Sequence, residues 1–309
     1  MSEIRIWEEY LQHFGLEQNA IREGCEPYLI VNDELKDNAI VLIHGLTDSP
    51  FFMKAIGQYF HDAMGFNVVI PLLAGHGLKQ PDGMRTVTLA QWEENVNYAV
   101  EAAKNYGNKI SIGGLSTGGA LSVYKAFKSN GGISGGVFLF SAALDLTSKY
   151  GTLGGELEEF LLTLPITNEV ADIQDLIRDN SLVGENPYRY AKMDYHGAIQ
   201  LKKIIREIDK NIEKASLLQP VFAAHSEADE RANLEAIKIF LERCSIQESF
   251  IIPRHLKVKH GSVVLQDDIP ATDVNLRDDK NPCFEEMIKA VHHFAINHLE
   301  NVKSISVLV

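Results

Sequence analysis

Gly114-Leu115-Ser116-Thr117-Gly118 is a G-x-S-x-G pattern, and its flanks decide what it can do. The apolar run Lys109–Leu115 precedes it and a helical pattern, Gly119–Phe127, follows. A serine on so tight a strand-to-helix turn is pushed out at the C-terminal edge of a sheet, on a strained backbone. Small residues at 114 and 118 let the two arms approach. Such a serine is a candidate nucleophile for acyl transfer. The amide of Thr117, at the helix N-terminus, points where negative charge develops in that reaction. The bland alternative is a Gly-rich turn with an incidental serine.

An acyl-transfer serine needs a base, an acid and a second oxyanion donor. Of the 11 histidines, His255 and His260 follow an apolar run ending near Ile252, in a loop at the same sheet edge. His260 is the preferred base, because it lies far enough from the strand to reach back and Gly261 loosens its loop; His255 is the alternative. The acid candidates Glu227, Asp229 and Glu230 follow Val221–Ala224. Asp229 is preferred, although aspartate is also favoured as a plain helix cap there. The order Ser116, Asp229, His260 is the serine–acid–histidine order of this architecture. In His44-Gly45-Leu46-Thr47-Asp48-Ser49-Pro50 the amide of Leu46 is the second oxyanion donor. His44 is expected to tie down its loop.

These residues need a scaffold that brings strand ends together. Apolar runs at Ala39–His44, Asn67–Ile70, Lys109–Leu115, Gly136–Ser141, Val221–Ala224 and Ser249–Ile252 suit strands of a parallel sheet buried on both faces. Amphipathic patterns at Leu89–Asn105, Leu234–Cys244 and Phe284–Leu299 predict helices, and Ser49-Pro50 a capped helix start. Strands alternating with helices imply a doubly wound, mostly parallel α/β sheet. Strand starts at 39 and 67, 109 and 136, 221 and 249 lie 28, 27 and 28 residues apart, each one βαβ step. From 136 to 221 is 85 residues. The excess predicts a helical cap insertion at 145–216, with 1–144 and 217–309 forming the core. In the cap, Phe160 and Leu161 are candidate substrate-binding residues, as are Phe51 and Phe52 beside the oxyanion turn; packed core is the alternative for all four.

The chain resembles the α/β-hydrolases, close to capped carboxylesterases and monoacylglycerol-lipase-like enzymes. The resemblance covers about 39–300 and rests on the 44–50 segment, Ala74-Gly75-His76-Gly77, the G-x-S-x-G pattern, Asp229 and His260. It implies an oxyanion hole from Leu46 and Thr117 and a lid at 145–216. His225 departs from the pattern, replacing a glycine usual before the acid. The implied activity is a serine hydrolase cleaving carboxylic esters, of short to medium acyl chains or monoacylglycerol-like, through an acyl-enzyme. A serine peptidase or thioesterase on the same triad, or a non-catalytic ligand-binding member of the fold, are the rival readings.

Composition narrows the partners. The chain has 309 residues, 29 Lys+Arg against 42 Asp+Glu and a formal charge of −13, which disfavours nucleic acid. The expected partner is a small-molecule ester, and no metal or other cofactor is required. No apolar run approaches the ~20 residues of a membrane span. Met1–Phe14 lacks the pattern of a signal peptide. Three scattered cysteines, Cys25, Cys244 and Cys283, fit buried thiols in a reducing compartment, so a cytoplasmic protein is expected. His292-His293 is expected to be a surface pair, and the tail Ser304–Val309 a packed segment.

Overall fold

The fold is described from a computed structural model, which covers residues 4–32, 35–128, 132–145, 186–191, 195–270 and 277–303. Eight strands form one sheet: β1 (Arg5–Ile6), β2 (Tyr28–Ile30), β3 (Lys36–Ile43), β4 (Asn67–Ile70), β5 (Gly107–Leu115), β6 (Val137–Phe140), β7 (Val221–Ser226) and β8 (Gln247–Ile252). Their spatial order is β1-β2-β4-β3-β5-β6-β7-β8. The steps from β4 to β8 are parallel, whereas β2 pairs antiparallel with both β1 and β4.

Side-chain alternation explains why the central runs are apolar throughout. In β3, Ala39, Val41 and Ile43 face one core while Ile40 and Leu42 face another; in β6, Val137 and Leu139 part from Phe138 and Phe140 in the same way. With period 2, a strand covered on both faces has no solvent side to mark with polar residues. The first core is closed by α1 (Glu8–His13), α3 (Leu89–Ala103), α4 (Thr117–Lys128), α5 (Tyr195–Ile212) and α6 (Leu234–Glu242). The second is closed by α2 (Lys54–Asp62) and α7 (Phe284–His298), through Ile56, Phe60, Met287, Val291 and Phe294.

Most expected elements fall where the patterns put them. One start differs: Ser49 is extended and its side chain makes no cap hydrogen bond, and a 3-10 turn at Pro50–Met53 intervenes before α2. Helix α3 has a full capping box, with Thr88 accepting from the Gln91 amide while the Gln91 side chain accepts from the Thr88 amide. This closes two of the orphan donors of its first turn. The expected surface pair is also corrected: His293 is exposed, but His292 is buried, with Nε2 2.7 Å from Lys303 O. The helix axis gives adjacent residues different faces, and one of these two faces turns inward.

Within the span expected as the cap, α5 packs Leu201, Ile204 and Ile208 into the first core, and Gln200 Oε1 accepts from the Leu89 amide of α3. Phe160 and Leu161, with the rest of 146–185, lie outside the described residues, as does the tail Ser304–Val309. Among the described residues no helix is long and apolar enough to cross a membrane.

Candidate active site

Ser116 is the single residue between β5 and α4, with a φ of +54°, in the left-handed region that costs a non-glycine residue about 1–3 kcal/mol. The neighbours hold it there. Its amide donates to Phe140 O at 3.0 Å, and its carbonyl accepts from the amides of Ala120 and Ala143 at 3.1 and 3.0 Å. The flanking glycines have a steric reason. A methyl group on Gly114 would run into Ile43 O and lie 2.6 Å from the Gly118 carbonyl carbon. One on Gly118 would overlap Ile43 O and lie 2.7 Å from His44 O. The elbow is thus pressed against the end of β3, the strand that leads into the Gly45–Asp48 turn.

That turn closes through Asp48 N donating to Gly45 O at 3.2 Å. It lies against the serine: a Cβ on Gly45 would sit 3.4 Å from Ser116 Cβ. Two histidines fix it. His44 is buried, its Nδ1 2.9 Å from Gly45 O, while its Nε2 accepts from Leu73 N at 3.1 Å. Burial holds it well below the usual histidine range, with His76 adding to the effect, so it is the neutral strut expected of a strand-end histidine. His76, also lowered by burial, sets Nε2 against Leu46 O and Nδ1 against Ala74 O. With the Leu46 carbonyl turned to His76, the peptide plane fixes the direction of the turn's backbone. Thr117 is the first residue of α4 and is fully buried; an amide at that position has no acceptor within its own helix.

Asp229 and His260 meet. His260 Nδ1 is 2.7 Å from Asp229 Oδ2, while Asp229 Oδ1 accepts from the amides of Arg231 and Ala232 at 2.8 and 3.1 Å. The Asp229 side chain is 1% exposed. Burial by itself raises its pKa, but the charge and hydrogen bond of His260, then His225 and the Arg231 amide, outweigh it and bring the carboxyl down to about 2. His225, at the departure from the resembling pattern, lies behind the acid with Nε2 3.4 Å from Asp229 Oδ2 and 3.2 Å from Ala232 O. Both neighbours are acceptors, so that nitrogen carries the proton.

The alternatives are engaged elsewhere. Glu227 is exposed and its Oε2 accepts from the Arg254 amide at 2.9 Å; Glu230 and His255 are exposed too. No hydrogen bond joins Ser116 to His260 among the described residues; in substrate-free hydrolases that contact is often long and tightens on binding. Phe51 stacks on Tyr188 at 3.5 Å between ring centroids. Phe52 is 1% exposed beneath the Arg189 guanidinium, 4.5 Å away. Among the described residues no group of three or more His, Cys, Asp or Glu side chains is placed to hold a metal ion.

Sequence reasoning passed over a buried ionic group beside this site. Arg189 Nε lies 3.0 Å from Asp48 Oδ1 and its NH1 3.2 Å from Asp278 Oδ1, with all three side chains at most 8% exposed. Asp48 was in view within the 44–50 segment, but nothing in sequence ties it to residues 141 and 230 positions away.

Comparison with known proteins gives a family and a shared fold. A family model described as serine aminopeptidase, S33, matches residues 35–254. A thermostable monoacylglycerol lipase from Bacillus sp. (strain H-257) is 30% identical over 162 residues, 52% of this chain; the chain thus spans only 62% of that relative's length. A solved structure from work on LipS and LipT, two metagenome-derived lipolytic enzymes, superposes with a TM-score of 0.67 at 20% identity, over 90% of this chain and 100% of that one. A soluble variant of monoglyceride lipase from Saccharomyces cerevisiae, in complex with a substrate analogue, gives 0.63 at 14% identity, over 91% and 93%. At such identities the structures share the fold.

Proposed function

The chain belongs to the serine aminopeptidase S33 family of α/β-hydrolases, and on that footing we propose that it is a serine hydrolase cleaving carboxylic esters, of short to medium acyl chains or monoacylglycerol-like, through an acyl-enzyme. The observation that carries the reading is the buried Asp229 carboxylate bonded to His260 Nδ1. That bond turns the imidazole and leaves Nε2 to serve as the base. His260 takes the proton of Ser116 as Oγ attacks the acyl carbonyl. The amides of Leu46 and Thr117 hold the oxyanion. His260 then protonates the leaving alcohol, and water releases the acid by the same steps. The cap, 145–216, supplies the acyl site, with Phe160 and Leu161 as its candidate lining. The small number and scattered placing of the three cysteines support a cytoplasmic place of action.

The family description favours a second reading, a peptidase releasing N-terminal residues. Such an enzyme must hold an α-ammonium with a free carboxylate. Among the described residues, the buried carboxylates beside the Gly45–Asp48 turn, Asp48 and Asp278, both face Arg189 instead, which supports the ester. The test is a panel of p-nitrophenyl esters of rising chain length beside aminoacyl p-nitroanilides, with fluorophosphonate labelling. Parent protein is expected to cleave the esters, with a rate that depends on chain length, and to be labelled. Ser116→Ala is expected to lose both by at least three orders of magnitude. Ester cleavage at parental rate by Ser116→Ala contradicts the triad; faster anilide than ester cleavage favours the peptidase.

A further inference from the structure

Three segments distant in sequence converge on one guanidinium. Arg189 faces Asp48 in the turn that abuts Ser116 and Asp278 in the segment after the His260 loop. It also lies under that loop itself: a Cβ on Gly261 would come within 2.5 Å of Arg189 NH2 and 3.5 Å of Cζ. Its ring neighbour is Phe52, and its carbonyl accepts from Arg22 NH1 at 2.8 Å. The residues beside it add to the clasp. Tyr190 N donates to Thr47 O at 2.8 Å, the Tyr190 hydroxyl lies between Gly75 O and Leu78 N at 3.0 Å from each, and Asn186 Nδ2 donates to Asp278 Oδ2 at 2.7 Å. The Asp48 carboxylate in turn folds onto Gly45, where a methyl group would overlap Oδ2.

We propose that Arg189 is a positioning residue for the ester hydrolysis: by bridging Asp48 and Asp278 beneath Gly261 it sets the oxyanion turn and the His260 loop at their working separation. The inference rests on the serine-hydrolase reading. The planar, delocalised cation of arginine fits the role, because it donates to Asp278 in a fixed direction through NH1 while its Nε edge holds the Asp48 carboxylate by charge; an ammonium is a compact point charge without that second edge. A shift of the turn moves the Leu46 amide relative to the developing oxyanion, and oxyanion donors act in the transition state more than in the ground state. The mark of the role is therefore a loss in kcat at nearly constant KM.

The test uses the full chain and Arg189→Lys, which keeps the buried charge, with Asp48→Asn as the second variant. Active sites are counted by fluorophosphonate titration so that rates refer to folded protein. For Arg189→Lys a fall in kcat of about tenfold is expected on p-nitrophenyl butyrate, with KM within about twofold. Affinity for an alkyl trifluoromethyl ketone, which loads the oxyanion hole as its hemiketal, is expected to fall by the same factor. Asp48→Asn is expected to follow the same line. A kcat within twofold of parent in both variants overturns the proposal, and so does a fall in kcat with ketone affinity unchanged. Parent protein that neither cleaves esters nor takes the label refutes the serine-hydrolase reading instead.

Discussion

At the scale of single residues, the two histidines next to Asp229 act in the same direction on its carboxyl. Burial alone raises the Asp229 pKa, but the charge and hydrogen bond of His260, then His225 and the Arg231 amide, favour the ionised carboxylate and bring it from an ordinary 3.8 to about 2. At ~1.4 kcal/mol per pKa unit, the shift corresponds to about 2–3 kcal/mol of folding stability. The folded pKa is the lower one, so this contribution is present above about pH 4 and is lost as pH falls through about 2. Asp229→Asn lacks the titration. Urea midpoints at pH 6 and pH 2.5 are expected to differ more in the parent than in the variant; equal pH dependence contradicts the assignment. The same variant is expected to lose about three to four orders of magnitude in kcat, since the imidazole loses its orienting charge. Asp229 and His260 were legible in sequence because each follows a strand at the sheet's C-terminal edge. Arg189 was not, because ion pairing across 141 residues leaves no local pattern.

Among the elements, legibility follows how each strand is buried. The six strands from β3 to β8 announce themselves as apolar runs, because five of them carry buried residues toward both cores. Strands β1 and β2 have two and three residues, too short for any period to emerge from the background. The 3-10 turn at Pro50–Met53 has a similar cause: proline suits either helix type at its first position. The elbow is the element on which most depends, since β5, α4 and the end of β3 meet within van der Waals contact at Gly118. A methyl group there must displace the backbone of Ile43 and His44, which carries the oxyanion turn. Gly118→Ala is therefore expected to cost about 1–3 kcal/mol and to lower kcat by more than the folded fraction accounts for. Urea denaturation beside site-titrated kinetics checks it; a variant with parental kcat per active site shows that the turn tolerates the shift.

Taken whole, the molecule carries a formal charge of −13, and the described residues of the site do not locally reverse it. Among the described residues, the buried cluster beside the Gly45–Asp48 turn sets the Arg189 guanidinium against two carboxylates, and the Arg231 guanidinium lies close enough to act on both Arg189 and Asp229. Asp229 adds a carboxylate that stays ionised down to about pH 2. A substrate entering from solvent thus meets a net negative molecule, and among these described site residues three carboxylates face two guanidiniums. Screening acts over roughly 10 Å at 0.1 M salt, so the field bears on encounter and on the pocket mouth more than on the buried chemistry. For a cationic choline ester, kcat/KM is expected to fall severalfold as salt rises from about 10 to 300 mM. For an anionic succinate half-ester of similar size it is expected to rise, and for a neutral butyrate ester to stay flat. The sign of the difference is the diagnostic. A parallel response of the cationic and anionic esters would mean that salt acts on the fold or on the cap, since a field effect must change sign with the charge of the ligand.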